Sequence, residues 1–167
     1  MIKPVKKLML VALLSALGSA GAMAAEQSHF EHFITRDGAT LKDGDKVFRF
    51  AGIHAPELHR IEDDARGTCK ADSRGGGQYF RWPTAEEQEN WIKALVQTGA
   101  RAQRVYVLSV QQTFDEACGR ETHILAPETA DGMPRLNEKA MRVYDNMIAE
   151  ADKQGLRLIL PFIDHWW

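Results

Sequence analysis

The sequence predicts an α/β fold, the N-terminal part of a (β/α)8 barrel with about three barrel strands preceded by a β-hairpin. Three observations carry this reading. Apolar strand-like runs alternate with amphipathic helical patterns, the order expected of parallel strands joined by helical crossovers. The long connections follow strands while the helix-to-strand turns are short, and barrels build their sites from loops after strands. Finally, GLRLILPFI at residues 155–163 suits a strand covered on both faces, with polar and aromatic residues following it. Such barrels need roughly 250 residues, and the chain has 167, so an incomplete barrel is expected.

Composition fits that class. The chain is 44% hydrophobic and 26% charged, with a formal net charge of −2; no basic patch is present to meet phosphates, which argues against nucleic acid as a partner. Residues 1–25 read as a secretory signal peptide: Lys3, Lys6 and Lys7, then an apolar run at 8–17, then the small-residue site Ala22-Met23-Ala24. That run is short for a span of ~20 residues, so no membrane association is expected after cleavage. Residues 26–167 form the mature domain, secreted or periplasmic. An oxidising compartment leaves two states open for Cys69 and Cys118: a bridge between the two loop-like segments that hold them, or free thiols.

In chain order, Asp37-Gly38 and Asp43-Gly44 are turn dipeptides between short β-type runs and predict a hairpin. Residues 47–53 read as the first long strand, and 54–82 as a loop with a Gly-rich middle. Thr84 with Glu87 spells a capping box; Trp91, Ala94, Leu95 and Thr98 follow at helical spacing, and Gly99 ends the helix. Residues 103–108 form a second buried-type strand and 109–136 a second long loop. Asn137 caps a helix over 138–154 whose stripe is Met141, Tyr144, Met147, Ile148 and Ala151. Gly155 stops it, and 156–163 is the third strand.

The run FITRDG at 33–38, FRFAGI at 48–53, HAPELH at 54–59, GARAQRVY at 99–106, LNEKA at 136–140 and residues 155–167 together resemble the opening of glycoside hydrolase family 5, closest to its β-mannanase-like and cellulase members. The resemblance spans about residues 30–167. It implies a retaining (β/α)8 hydrolase of β-linked polysaccharide (mannan, glucomannan or a cellulose-like chain), using a Glu after strand four as acid/base and a Glu after strand seven as nucleophile. Retaining chemistry needs those carboxyls about 5–5.5 Å apart, and neither has a counterpart here, so an inactive chain is expected. The Asn137-Glu138 pair copies the acid/base dipeptide, but Asn and Glu at a helix start are what capping favours.

The candidate residues follow. Arg104 sits in an apolar strand, where an unpaired charge is expensive; the resemblance makes it the arginine that supports the nucleophile. His54, Glu57 and His59 are placed along the substrate cleft by the resemblance, and Tyr106 either joins them or packs in the core. Indole faces at Trp166 and Trp167 suit stacking on sugar rings, with Asp164 and His165 suited to sugar hydroxyls; where the family has Asn, this chain has His165. Neither His54, Glu57 and His59 nor the cysteines have zinc-site spacing, so no metal or cofactor is expected. Two other readings remain open: a non-catalytic carbohydrate-binding remnant, and a small periplasmic α/β protein of another function.

Overall fold

The computed structural model describes residues 28–61, 69 and 81–163. The signal-like segment, the Gly-rich stretch 74–77 and the terminal Asp164, His165, Trp166 and Trp167 lie outside the described residues.

Gly38 and Gly44 adopt φ 58° and 57°, a conformation that side-chain-bearing residues rarely take. They turn the chain twice, so the predicted hairpin becomes a three-stranded antiparallel sheet: β1 (Ile34–Asp37), β2 (Thr40–Asp43) and β3 (Lys46–Phe48). This corrects the expected first barrel strand at 47–53. Its first residues pair with β2, Phe48 opposite Leu41 and Val47 opposite Lys42. Its continuation pairs with the parallel layer at His54, through an isolated bridge to Arg104, with the Ala55 N–H donating to the Arg104 carbonyl at 3.0 Å.

The parallel layer is β4 (Ala102–Arg104) beside β7 (Arg157–Ile159), with Gln103 opposite Leu158. Further hydrogen bonds from Val105 to Ile159 and from Leu108 to Phe162 carry the same register past both labelled strands. Leu156 is buried. Ile159, Phe162 and Ile163 are exposed, which corrects the expectation of a strand covered on both faces; in addition, no strand flanks the outer edge of β7 among the described residues. The described residues form no closed barrel.

Helix α1 (Ala85–Gln97) starts at the expected capping box, with Thr84 Oγ1 accepting from Glu87 N–H and Glu87 accepting from Thr84 N–H. Its buried face is Gln88, Ile92 and Leu95. Of the expected stripe Trp91, Ala94, Leu95 and Thr98, Leu95 is buried and the other three are exposed. The face is rotated because Gln88 is welcome inside: its amide nitrogen donates to the Leu58 carbonyl at 2.7 Å and the Val143 carbonyl at 3.0 Å. Helix α2 (Glu138–Lys153) starts at Asn137, whose side chain accepts from Lys139 N–H, so the Asn137-Glu138 pair is a helix start. Ala140, Tyr144, Met147 and Ala151 are its buried residues; Ile148 of the expected stripe faces out.

The second long loop is more ordered than its sequence implied. It contains a small hairpin, β5 (Ile124–Leu125) with β6 (Arg135–Leu136). One core joins the pieces: Leu58 from the 3-10 turn Pro56–Leu58, Ile92 and Leu95 from α1, Val105 and Leu108 after β4, Tyr144 and Met147 from α2, and Leu156.

Candidate functional site

Parallel strands deliver their carboxyl-end residues to one rim. Here that rim holds His54, Arg104 and Tyr106. Arg104 Nη1 stands 3.1 Å from His54 Nδ1, and the His54 ring tilts against Tyr106 with centroids 5.7 Å apart. The Arg60 guanidinium lies 5.1 Å from the Tyr106 ring centre. Arg104 is exposed, which corrects the expectation of a charge enclosed in an apolar strand: its side chain leaves the strand toward the rim and meets an imidazole. Partial burial, and next the Arg104 charge, hold the His54 pKa below its usual 6.5. At neutral pH the rim therefore carries a guanidinium beside a neutral imidazole and a half-buried phenol, a set that recognises an anionic or hydroxyl-rich group.

His59 is not on that rim. It is fully buried, which corrects its placement along a cleft. Its Nδ1 lies 2.9 Å from His123 Nε2, and its Nε2 lies 2.9 Å from the Tyr106 carbonyl. His123, also fully buried, accepts at Nδ1 from the Ser109 N–H at 3.1 Å. Burial is the main cause of both low pKa values, about 4 for His59 and about 2 for His123. Nothing local in the sequence signals this pair, since the two histidines are 64 residues apart. Glu57 is half-buried in the 3-10 turn Pro56–Leu58.

The two loops that carry His59 and His123 are joined twice more. Cys69 and Cys118 form a disulfide with Cα atoms 5.5 Å apart. Trp82 Nε1 and Lys139 Nζ both donate to the Glu121 carboxylate. Among the described residues, no group of three or more His, Cys, Asp or Glu side chains is placed to hold a metal ion. So the structure brings His54, Arg104 and Tyr106 together, sets His59 apart as a structural group, and leaves Asp164, His165, Trp166 and Trp167 outside the described residues.

With this geometry in view, the fold can be set beside known proteins. The chain is similar to the solved endo-1,4-β-mannanase of Rhizomucor miehei, with a TM-score of 0.53 and 13% identity. The likeness covers 77% of this chain and 29% of the mannanase chain. At that identity it speaks to the fold alone. The sequence matches no protein-family model and no curated protein.

Proposed function

We propose that this chain forms the first part of an exported, retaining (β/α)8 glycosidase that acts on β-1,4-mannan or a related β-linked polysaccharide. The observation that carries the reading is Arg104, presented with His54 at the carboxyl ends of adjacent parallel segments. It sits on a fold like that of a mannanase.

In this reading the Arg104 guanidinium offers N–H groups to a nucleophile carboxylate and keeps it ionised. His54 holds that guanidinium from the side. Tyr106 presents a flat face to sugar rings, and the aromatic and polar side chains of Trp166, Trp167, Asp164 and His165 are assigned to the same substrate by their chemistry. The only Asn-Glu dipeptide, Asn137-Glu138, is spent on capping α2, so it does not serve as the acid/base, and in this reading both glutamates of the retaining pair are expected outside the 167 residues. By themselves those residues are expected to leave glycosidic bonds intact.

The test is to read the coding DNA past the codon for Trp167, express the product of the continuing frame, and assay both lengths on β-1,4-mannan. The expected result is reducing sugar from the longer product only, lowered on the order of a hundredfold by Arg104→Ala. Sugar released by the 167 residues alone would overturn the proposal. So would a frame lacking further strand-end glutamates.

A further inference from the structure

We propose that His59 and His123 form an acid-released latch, which holds the loop following His54 against the loop following Leu108 and loosens as pH falls below about 6.5.

The direction of every bond in the latch follows from one group that can only donate. The Ser109 backbone N–H points at His123 Nδ1, so that nitrogen carries no proton and His123 bears its proton on Nε2. His123 Nε2–H then donates to His59 Nδ1. His59 is left with its proton on Nε2, which donates to the Tyr106 carbonyl. Ser109 Oγ closes the far end, 2.8 Å from His123 Nδ1 and accepting from the His123 N–H at 3.2 Å.

This chain of donors and acceptors works only with both rings neutral. A proton added at His59 Nδ1 faces the N–H of His123. A proton added at His123 Nδ1 faces the N–H of Ser109 and can turn only to the Ser109 hydroxyl oxygen, which already accepts from the His123 backbone N–H. Either event replaces a hydrogen bond with two opposed donors and places a charge where both residues are fully shielded from water.

What the surroundings offer an imidazolium is weak: the Ser109 hydroxyl oxygen beside His123 Nδ1 is neutral. From the same loop, Arg60 opposes protonation of both rings, and His54 adds to this at His59. From α2, the Tyr144 ring lies 5.1 Å from His59 and 6.3 Å from His123; burial raises its phenol pKa, so it stays neutral. Trp82 packs on His123 at 4.8 Å and is uncharged. Glu121, which accepts from Trp82, is paired with Lys139.

The sign follows from linkage. An opened loop pair binds protons with the ordinary value near 6.5, whereas the closed pair resists until about 4 at His59 and about 2 at His123. The latch is therefore at full strength above pH 6.5 and weakens as pH falls from there toward those two values. Each histidine shifts the opening equilibrium by about tenfold per pH unit inside that window, or about thirtyfold by pH 5. Because the chain ends on the Tyr106 carbonyl, two residues from Arg104, opening slackens the rim that holds the candidate site.

Residue-resolved amide exchange on the whole chain, disulfide intact, tests this between pH 7 and pH 5 after correction for intrinsic exchange. The expected result is that the Ser109 and His123 amides lose protection by several hundredfold, about twenty- to thirtyfold from each ring, while the interior amides of α1 and α2 keep theirs. Loss of protection in step with both helices, or no added loss at Ser109 and His123, overturns the latch. In His59→Gln, which removes one titrating ring and keeps an amide donor for the Tyr106 carbonyl, the dependence should fall from about two tenfold steps per pH unit to about one. An unchanged dependence also overturns it, and the exchange profile of the natural chain decides the matter if the variant does not fold.

Discussion

Arg104 Nη1 donates to His54 Nδ1 across 3.1 Å, although the two residues are 50 positions apart. The contact exists because the backbone carries both residues to the same rung, where His54 bridges Arg104 in parallel. A guanidinium has no acceptor, so the imidazole takes part only as a neutral acceptor.

That arrangement sets the first prediction. Burial, then the Arg104 charge, lowers the His54 pKa, so neutral His54 is favoured in the folded chain. Its contribution is complete above the unfolded value of 6.5 and is lost as pH drops through the lowered folded value. In an NMR titration the His54 ring should turn over below 6.5. Arg104→Ala should raise the midpoint only part of the way back, because burial is the larger cause. An unmoved midpoint would separate the two side chains electrostatically.

Gln88 supports a second prediction. It is buried, donates to the Leu58 and Val143 carbonyls, and accepts from Asn146 Nδ2 at 2.6 Å. It thereby ties the 3-10 turn to both helices. Gln88→Leu orphans these partners, and each buried polar group left unpaired costs about 1–3 kcal/mol, so a loss of about 2–4 kcal/mol is expected in urea unfolding. Gln88→Glu should cost more at pH 7, since a carboxylate would face two carbonyl oxygens. Acidification protonates that carboxyl and should narrow the gap; a gap that widens would refute the account.

Features written in neighbouring residues were legible in the sequence; those made between distant residues were not. Thr84 with Glu87, Asn137, Gly99 and Gly155 fix helix ends by rules that act within four residues, and the structure places them so. Parallel β4 and β7 follow from the β-α-β order around α2. The turn at Gly44 was legible, but residues 46–48 pair with β2 instead of opening a barrel strand, and a run of apolar residues does not say which sheet it joins. Likewise Trp91 looks more buriable than Gln88 until Leu58, Val143 and Asn146 are known to satisfy the amide. His59 reads as a cleft residue only while His123 is out of sight. Of the candidate site, the types and order of His54, Arg104 and Tyr106 were visible in sequence; their meeting needed the fold.

Gly52 marks where the first segment passes β4. A Cβ built there would lie 2.4 Å from the Ala102 carbonyl oxygen, a backbone atom that cannot swing aside. Gly52→Ala should therefore push the 52–55 segment off β4. Overpacking of this kind costs about 1–3 kcal/mol. Faster exchange of the Ala55 amide, which donates to the Arg104 carbonyl, would localise the damage. Unchanged exchange at Ala55 together with unchanged stability would show that the segments are not in close contact.

The cap at Thr84 is a cleaner local test. Thr84→Ala removes the acceptor for Glu87 N–H and half of the reciprocal pair, and loss of such a cap costs about 1 kcal/mol. Glu87 is also held by Arg81 at 2.7 and 2.8 Å, and its pKa falls to about 2, chiefly through that hydrogen bond. This carboxylate contribution is present above the unfolded value near 4.5 and fades as pH falls toward 2. Urea melts of Thr84→Ala at pH 7 should show the full loss of about 1 kcal/mol; no loss would mean that Arg81 alone secures the helix start.

The Cys69–Cys118 disulfide closes a loop with a sequence separation of 49. On chain entropy alone a cross-link of that span contributes about 4 kcal/mol by restricting the unfolded chain. Both cysteines are buried, and they join the two loops that the His59–His123 pair and the Trp82–Glu121 contact also join. Cys69→Ser with Cys118→Ser should thus lower stability by up to about 4 kcal/mol while leaving the native contacts of His59 in place. The distinguishing observation is where exchange rises. If the bridge acts on the unfolded chain, all protected amides lose protection together in the double variant. If exchange rises at Ser109 and His123 alone, the bridge is holding the two loops together in the folded state, and the imidazole pair is too weak to do so by itself.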